Sequence, residues 1–135
     1  MRRVTRWTVT IAAVAVTLAA GALGATEWTA RKESRRNAAE ITGGDPDRGL
    51  AAIDARGCGS CHTIPGVRGA DARVGPSLEK FGTRAYVGGV LPNAPDNLVR
   101  WIHNAPSVDP MTAMPNLNVP EPEARDIAAY LYTLR

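Results

Sequence analysis

Cysteine and aromatic side chains are scarce in this chain. It has two cysteines and one phenylalanine, and aromatic residues make up 5% of its 135 positions. A single pair of cysteines excludes a framework of several disulfides. Glycine and proline are common by contrast, with 13 and 10 copies. A small, loop-rich domain with so little aromatic material commonly needs a staple, a metal or a cofactor for stability.

The folded part of the chain also lacks a strong excess of charge. Residues 41–135 hold nine basic and ten acidic side chains, whereas residues 1–40 hold seven basic and three acidic ones. The basic sequence pI of about 9.2 therefore reflects the N-terminal segment. This distribution predicts no nucleic-acid partner, because a nucleic-acid-binding domain normally carries a basic face.

An uncharged run covers residues 7–26 and follows three arginines. Twenty helical residues span about 30 Å, the thickness of a bilayer core. Residues 1–28 are therefore predicted to be a membrane anchor or a cleaved signal segment. The charged and then glycine-rich residues 29–44 are predicted to be a tether, and residues 45–135 a folded domain.

Helical signals dominate residues 45–135, and no alternating strand pattern is present. Asp45 and Pro46 predict a helix start, and Gly57 predicts its end. A short helical turn is expected around residues 77–83. A second helix is predicted from Pro95 to Pro106 and a last one from Pro120 onwards. Their apolar stripes are Leu98, Trp101, Ile102 and Ala105, and then Ile127, Tyr130, Leu131 and Leu134. The sequence predicts an all-α domain of three to four helices.

The segment "CGSCH" holds Cys58, Cys61 and His62. A structural zinc site needs four ligands, and His103 is the only other histidine, so this interpretation fits poorly. A thioredoxin-like pair requires an α/β pattern, which is absent. The remaining interpretation is the C-x-x-C-H haem attachment motif. It predicts one haem c, bound covalently through Cys58 and Cys61, with His62 as an axial ligand of the iron.

A second axial ligand would make such a site an electron carrier. Met114, in "DPMTAMPNLNV", is the predicted ligand because Pro115 restricts its backbone and a thioether raises a haem's reduction potential. The predicted metal ligands are thus His62 and Met114. Met111 is the substitute for Met114, and His103 is predicted to be solvated.

With these residues in view, the chain resembles a class I c-type cytochrome over residues 44–135. The segments that carry the resemblance are "CGSCH", "VGPSL", "NLVRWI", "MPNL" and "IAAYL". It implies a small cytochrome c fold wrapped around one covalent haem, here preceded by one N-terminal membrane helix. It further implies that the Pro76 carbonyl accepts the His62 N–H, that Trp101 lies beside the cofactor, and that Gly49, Ile53, Ile127 and Tyr130 form a helix crossing. The run from "LPNAPD" to "MPNL" is similar to cytochrome c domains associated with bacterial terminal oxidases.

The resulting functional prediction is an electron carrier rather than an enzyme. It would sit on the bacterial cytoplasmic membrane with its haem domain facing the periplasm, or be soluble in the periplasm if the N-terminal segment is cleaved. Its predicted partners are the membrane and redox proteins such as a terminal oxidase or a quinol- or alcohol-oxidising complex. Two alternatives stay open. One is a haem enzyme or gas or peroxide sensor with a displaceable sixth ligand, and the other is a fixed subunit of an oxidase or dehydrogenase complex.

Overall fold

The structure is a computed structural model that describes residues 2–135. The chain divides into two compact units, Met1–Glu33 and Ser34–Arg135. Helix α1 covers Arg2–Thr42. One helix, Ile11–Thr42, is long and apolar enough to cross a membrane by length and composition. The predicted N-terminal apolar helix is therefore confirmed. A helix of this length and composition is expected for a membrane anchor and for a signal segment alike.

The last turns of α1, residues 34–42, belong to the second unit. Ala38 and Thr42 lie four residues apart on one helix face and are almost fully buried. The helix ends at Thr42, and the next residue, Gly43, has a φ of +68°, which suits glycine. The structure thus places a docked helix where the sequence suggested the end of a tether.

Helix α2 covers Pro46–Ala55 and begins as its sequence predicts. The Asp45 carboxylate accepts hydrogen bonds from the backbone N–H groups of Asp47 and Arg48, at 2.8 and 3.2 Å. These bonds satisfy two of the donors that a helix start leaves free. The helix ends before Gly57, whose φ is +67°.

Helix α4 covers Glu121–Thr133 and crosses α2. Gly49 allows the close approach, because a Cβ atom there would lie 2.6 Å from the carbonyl carbon of Asp126. Ile53, Ile127 and Tyr130 are buried in one core cluster. The crossing residues named from the sequence are therefore brought together.

Ion pairs fix the outer side of this crossing. The Arg48 guanidinium donates to both carboxylate oxygens of Asp126, each at 2.8 Å. Arg56 donates to Glu123 at 3.0 and 2.6 Å. These paired geometries orient α2 along α4.

Helix α3 covers Pro95–Val108, and its end differs from the prediction. The backbone leaves helical geometry at Asn104, where φ is −157°, and one further turn follows that contains Pro106. A proline is tolerated at the start of a helical turn, where its missing N–H costs nothing. The break therefore precedes Pro106 by two residues.

A two-stranded hairpin is the element that the sequence did not predict. Strand β1 covers Tyr86–Val87 and pairs antiparallel with β2, Leu91–Pro92. Strands of two residues are too short to show an alternating pattern. Two short 3-10 turns, Cys58–Ser60 and Phe81–Thr83, complete the elements of residues 2–135. The prediction of a mostly helical domain is confirmed.

Candidate functional site

The two cysteines and His62 lie on one tight turn that follows α2. The N–H groups of Cys61 and His62 both donate to the carbonyl of Cys58, at 3.2 and 3.0 Å. The turn can form because Gly57 ends the preceding helix in a left-handed conformation. Cys58 and Cys61 are both partly buried and are free thiols. Burial raises the pKa of the Cys58 thiol above its ordinary value.

The imidazole of His62 is held by a backbone carbonyl. Its Nδ1 lies 2.7 Å from the carbonyl oxygen of Pro76. Since a carbonyl oxygen only accepts hydrogen bonds, we assign the proton to Nδ1. The Nε2 lone pair is then free to bind a metal, and the bond to Pro76 fixes the orientation of the ring. The predicted hydrogen bond between His62 and the Pro76 carbonyl is therefore present in the structure.

A glycine lets the backbone lie flat against this ring. A Cβ atom at Gly75 would lie 2.5 Å from Cε1 and 2.8 Å from Nδ1 of His62. The Gly75 N–H donates to the carbonyl of Cys61 at 2.7 Å. Gly75 therefore ties the loop to the cysteine turn and clears the space that the imidazole occupies.

The loop that carries Pro76, residues 63–78, is fixed along its length by hydrogen bonds. The Thr63 hydroxyl donates to the carbonyl of Ala72 at 2.9 Å, and the Thr63 carbonyl accepts from the N–H of Leu78 at 2.8 Å. The Tyr130 hydroxyl donates to the carbonyl of Pro65 at 2.6 Å and so links this loop to α4. These bonds hold the Pro76 carbonyl in place before any ligand binds His62.

The side chain of Asn93 makes several hydrogen bonds that support the loop leading to α3. The sequence did not predict this role. The Asn93 side-chain amide donates to the carbonyls of Phe81 and Arg84, at 3.1 and 3.0 Å, and accepts from the Tyr132 hydroxyl at 2.9 Å. Arg84 in turn donates to the carbonyls of Ser77 and Glu79. A lone asparagine in a loop gives no pattern from which these bonds can be predicted.

Trp101 lies on α3 and is partly buried against the core cluster, as Cys58 is. The backbone of Gly88 packs against its indole, since a Cβ there would lie 2.6 Å from Cζ2. Gly88 also has a φ of +58°, a conformation that favours glycine. The hairpin between β1 and β2 therefore fixes one side of the tryptophan.

The two methionines differ in burial. Met114 is partly buried, and its N–H donates to the Thr112 hydroxyl at 3.2 Å. Met111 is 89% exposed. His103 is exposed as predicted, and its Nδ1 lies 2.6 Å from the carbonyl oxygen of Val119. Of the three candidate second ligands, Met114 is the one that combines partial burial with an ordered loop.

The side chains around the cysteine turn do not form a metal-binding group of their own. Among the residues that the structure describes, no three or more His, Cys, Asp or Glu side chains are arranged so that they could hold a metal ion. This finding contradicts the predicted cofactor, one haem c bound covalently through Cys58 and Cys61. The prediction is corrected accordingly, and the haem c is withdrawn.

Two curated proteins are similar to part of the chain. It is 30% identical over 92 residues to a cytochrome c oxidase subunit 2 of Alkalihalophilus pseudofirmus, a match that covers 66% of this chain and 25% of the relative. It is 30% identical over 88 residues to a cytochrome c oxidase subunit 2 of Bacillus sp. strain PS3, with 62% and 25% covered. The chain thus spans about a quarter of the length of these relatives. No family model and no solved structure matches it.

Proposed function

We propose that the chain is a membrane-anchored electron carrier that serves a respiratory oxidase, and not an enzyme itself. The distant similarity to two oxidase subunits supports the respiratory role. The long apolar helix near the N-terminus supports the membrane location. The proposal needs a residue that can hold a redox metal, and His62 is the best placed.

The hydrogen bond between His62 and Pro76 is the observation that carries this proposal. It fixes the ring orientation and leaves Nε2 as the ligating atom. A preset ligand moves little between oxidation states, and this suits a carrier. The same bond is one that the resemblance to class I cytochromes implies, and together with the α2–α4 crossing it supports a cytochrome-c-like fold for Ser34–Arg135.

Met114 is proposed as the second ligand of the metal. Its partly buried side chain lies in the loop between α3 and α4. A soft thioether is a ligand that favours the lower oxidation state of a transition metal, so it would stabilise the reduced form of a metal bound there. Trp101 is proposed to shield the site from water, because its ring packs between the hairpin and the core.

Electron transfer through the membrane fraction tests this function. Membranes that carry the full chain are given a respiratory donor, and oxygen uptake is measured for the wild type, His62→Ala and His103→Ala. Loss of the chain-dependent uptake in His62→Ala alone is the expected result. His103 is the matched control, since it is the other histidine and is exposed. Equal uptake in all three proteins would contradict the proposal.

The intact mass of the purified protein identifies the redox group in the same samples. A mass equal to the chain alone is expected, because a metal held only by side chains is lost on denaturation. A mass excess that requires both Cys58 and Cys61 would mean a covalently bound group and would contradict a metal held by side chains alone.

The domain is proposed to face the periplasm, with the N-terminus in the cytoplasm. Three arginines precede the apolar run 7–26, as is typical of the positive start of an export segment. Protease added outside spheroplasts should digest the domain. Protection of the domain until the membrane is broken would place it on the cytoplasmic side.

A further inference from the structure

The docked end of α1, residues 34–42, is built into the domain. Ala38 is fully buried, and Thr42 is 1% exposed. The Thr42 hydroxyl donates to the Ala38 carbonyl at 2.7 Å and accepts from the Gly44 N–H at 3.2 Å. The Thr42 hydroxyl therefore both donates and accepts at the end of the segment.

Side chains from other elements also hold this segment. Arg125 of α4 donates from Nη1 to the carbonyl of Thr42 at 3.1 Å, and Arg35 forms an ion pair with Asp47 of α2. Gly44 passes so close to α4 that a Cβ there would overlap the Arg125 carbonyl. Contacts with two further helices make residues 34–42 part of the domain's own packing.

This docking limits the length of chain that connects the apolar run to the domain, and the connecting residues are themselves part of α1. The uncharged run ends at residue 26, and the docked segment begins at residue 34, so only residues 27–33 lie between them. Fully extended, they span about 25 Å, whereas a free tether over 29–44 would span about 55 Å. A domain of this size has a radius of gyration of about 13 Å. Even at full extension, the connecting residues 27–33 therefore reach no farther than the domain is wide.

We infer that the domain exchanges electrons with a partner that is embedded in the same membrane directly beside it, and does not swing between distant partners. The inference rests on the proposed electron-transfer function and on an uncleaved anchor. A short connection keeps the local concentration of one neighbouring partner high, and this advantage falls as the connection lengthens.

Lengthening the connection tests the inference. A flexible Gly/Ser insert of about 15 residues between Glu33 and Ser34 should lower oxygen uptake about fivefold, because effective concentration falls with roughly the −3/2 power of linker length. Reduction of the membrane-bound chain by a small soluble mediator should stay unchanged. Unchanged or faster oxygen uptake would overturn the inference and indicate a mobile shuttle. A wild-type chain that the mediator cannot reduce would instead refute the proposed function.

Undocking the segment gives an independent measurement. Ala38→Glu places a carboxylate in the buried contact and should free residues 34–42, so oxygen uptake should fall while reduction by the mediator persists. Asn37→Glu is the matched control, because Asn37 is the exposed neighbour and its change should leave uptake as in the wild type. Wild-type uptake in a folded Ala38→Glu protein would contradict the inference.

Discussion

The crossing of α2 and α4 buries its side chains and pairs its charges, whereas the segment 71–78, which places Pro76 against His62, has no fully buried side chain and is fixed by hydrogen bonds. Ile53 is 1% exposed and Ile127 is 3% exposed at the crossing. Val74, beside the His62 site, is 83% exposed. The comparison shows that stability and ligand placement are assigned to different parts of the domain. Changes at the crossing should act on folding, and changes in the loop should act on the redox site.

The largest expected effect on folding is at Gly49. Gly49→Val would place its side chain against the backbone of Asp126 and Ile127 and should destabilise the protein by about 3 kcal/mol. Chemical denaturation of the detergent-solubilised protein measures this loss. Ala51→Val is the control, because Ala51 is exposed on the same helix. Equal losses in the two variants would show that the close approach at Gly49 is unimportant.

The next effect is at Asp126, which accepts bonds from Arg48 and from the Asp45 N–H. Asp126→Asn should cost about 2 kcal/mol near neutral pH, because bonds to a charged group are lost. The hydrogen bonds from Arg48 hold the pKa of Asp126 below its ordinary value. Its contribution is therefore present above the unfolded-state pKa of about 3.9 and is lost as pH falls through the folded-state value.

Unfolding free energies across pH check this prediction. The difference between wild type and Asp126→Asn should shrink below about pH 4. Asp54→Asn removes an exposed carboxylate from α2 and serves as the control. A difference that stays constant down to acid pH would contradict the assigned role of the carboxylate.

In the loop that carries Pro76, Gly75→Ala should lower oxygen uptake more than stability, which is the opposite of the effect expected at the helix crossing. The new methyl group would displace the His62 imidazole from the Pro76 carbonyl. Loss of such an orienting contact typically lowers metal affinity or activity about 10–100-fold. Oxygen uptake should thus fall far more than stability does. Val74→Ala, the exposed neighbour, should change neither, and a wild-type rate in Gly75→Ala would count against the site.

The smallest effect on folding is expected at the two methionines, which sharpen the assignment of the second ligand. Met111→Ala should leave stability within about 0.5 kcal/mol and the midpoint potential unchanged, because its side chain is exposed. Met114→Ala should lower the midpoint potential. Potentiometric titration of both variants compares them. A shift in Met111→Ala alone would exchange the two roles.

The helices could be predicted from the sequence because their signals are local. Asp45 and Pro46 mark the start of α2, and apolar stripes mark α3 and α4. Residues 34–42 were missed as part of the domain since their burial depends on α2 and α4, which lie far along the chain. The extra turn of α3 was not predicted, because Pro106 was expected to end the helix. The helix is interrupted earlier, at Asn104, and no sequence signal marks that break.

Contacts within the site could be predicted only where a sequence motif implies a specific arrangement of atoms. The contact between His62 and Pro76 followed from the resemblance and is present. The hydrogen bonds of Thr63 and Asn93 depend on which backbone carbonyls lie near these side chains in the folded protein. No residue spacing in the sequence predicts those positions. The haem c was predicted from the C-x-x-C-H motif of Cys58, Cys61 and His62 and from the resemblance, and the metal-ligand geometry of the described residues contradicts it.

A redox titration of the full chain in detergent tests the central claim most directly. A carrier whose metal is held by His62 should give one reversible wave with a slope of about 59 mV per tenfold change, as for one electron. That wave should disappear in His62→Ala and persist in His103→Ala. A slope of about 30 mV that depends on the cysteines would indicate a two-electron dithiol instead. That result, or no wave at all, would contradict the account.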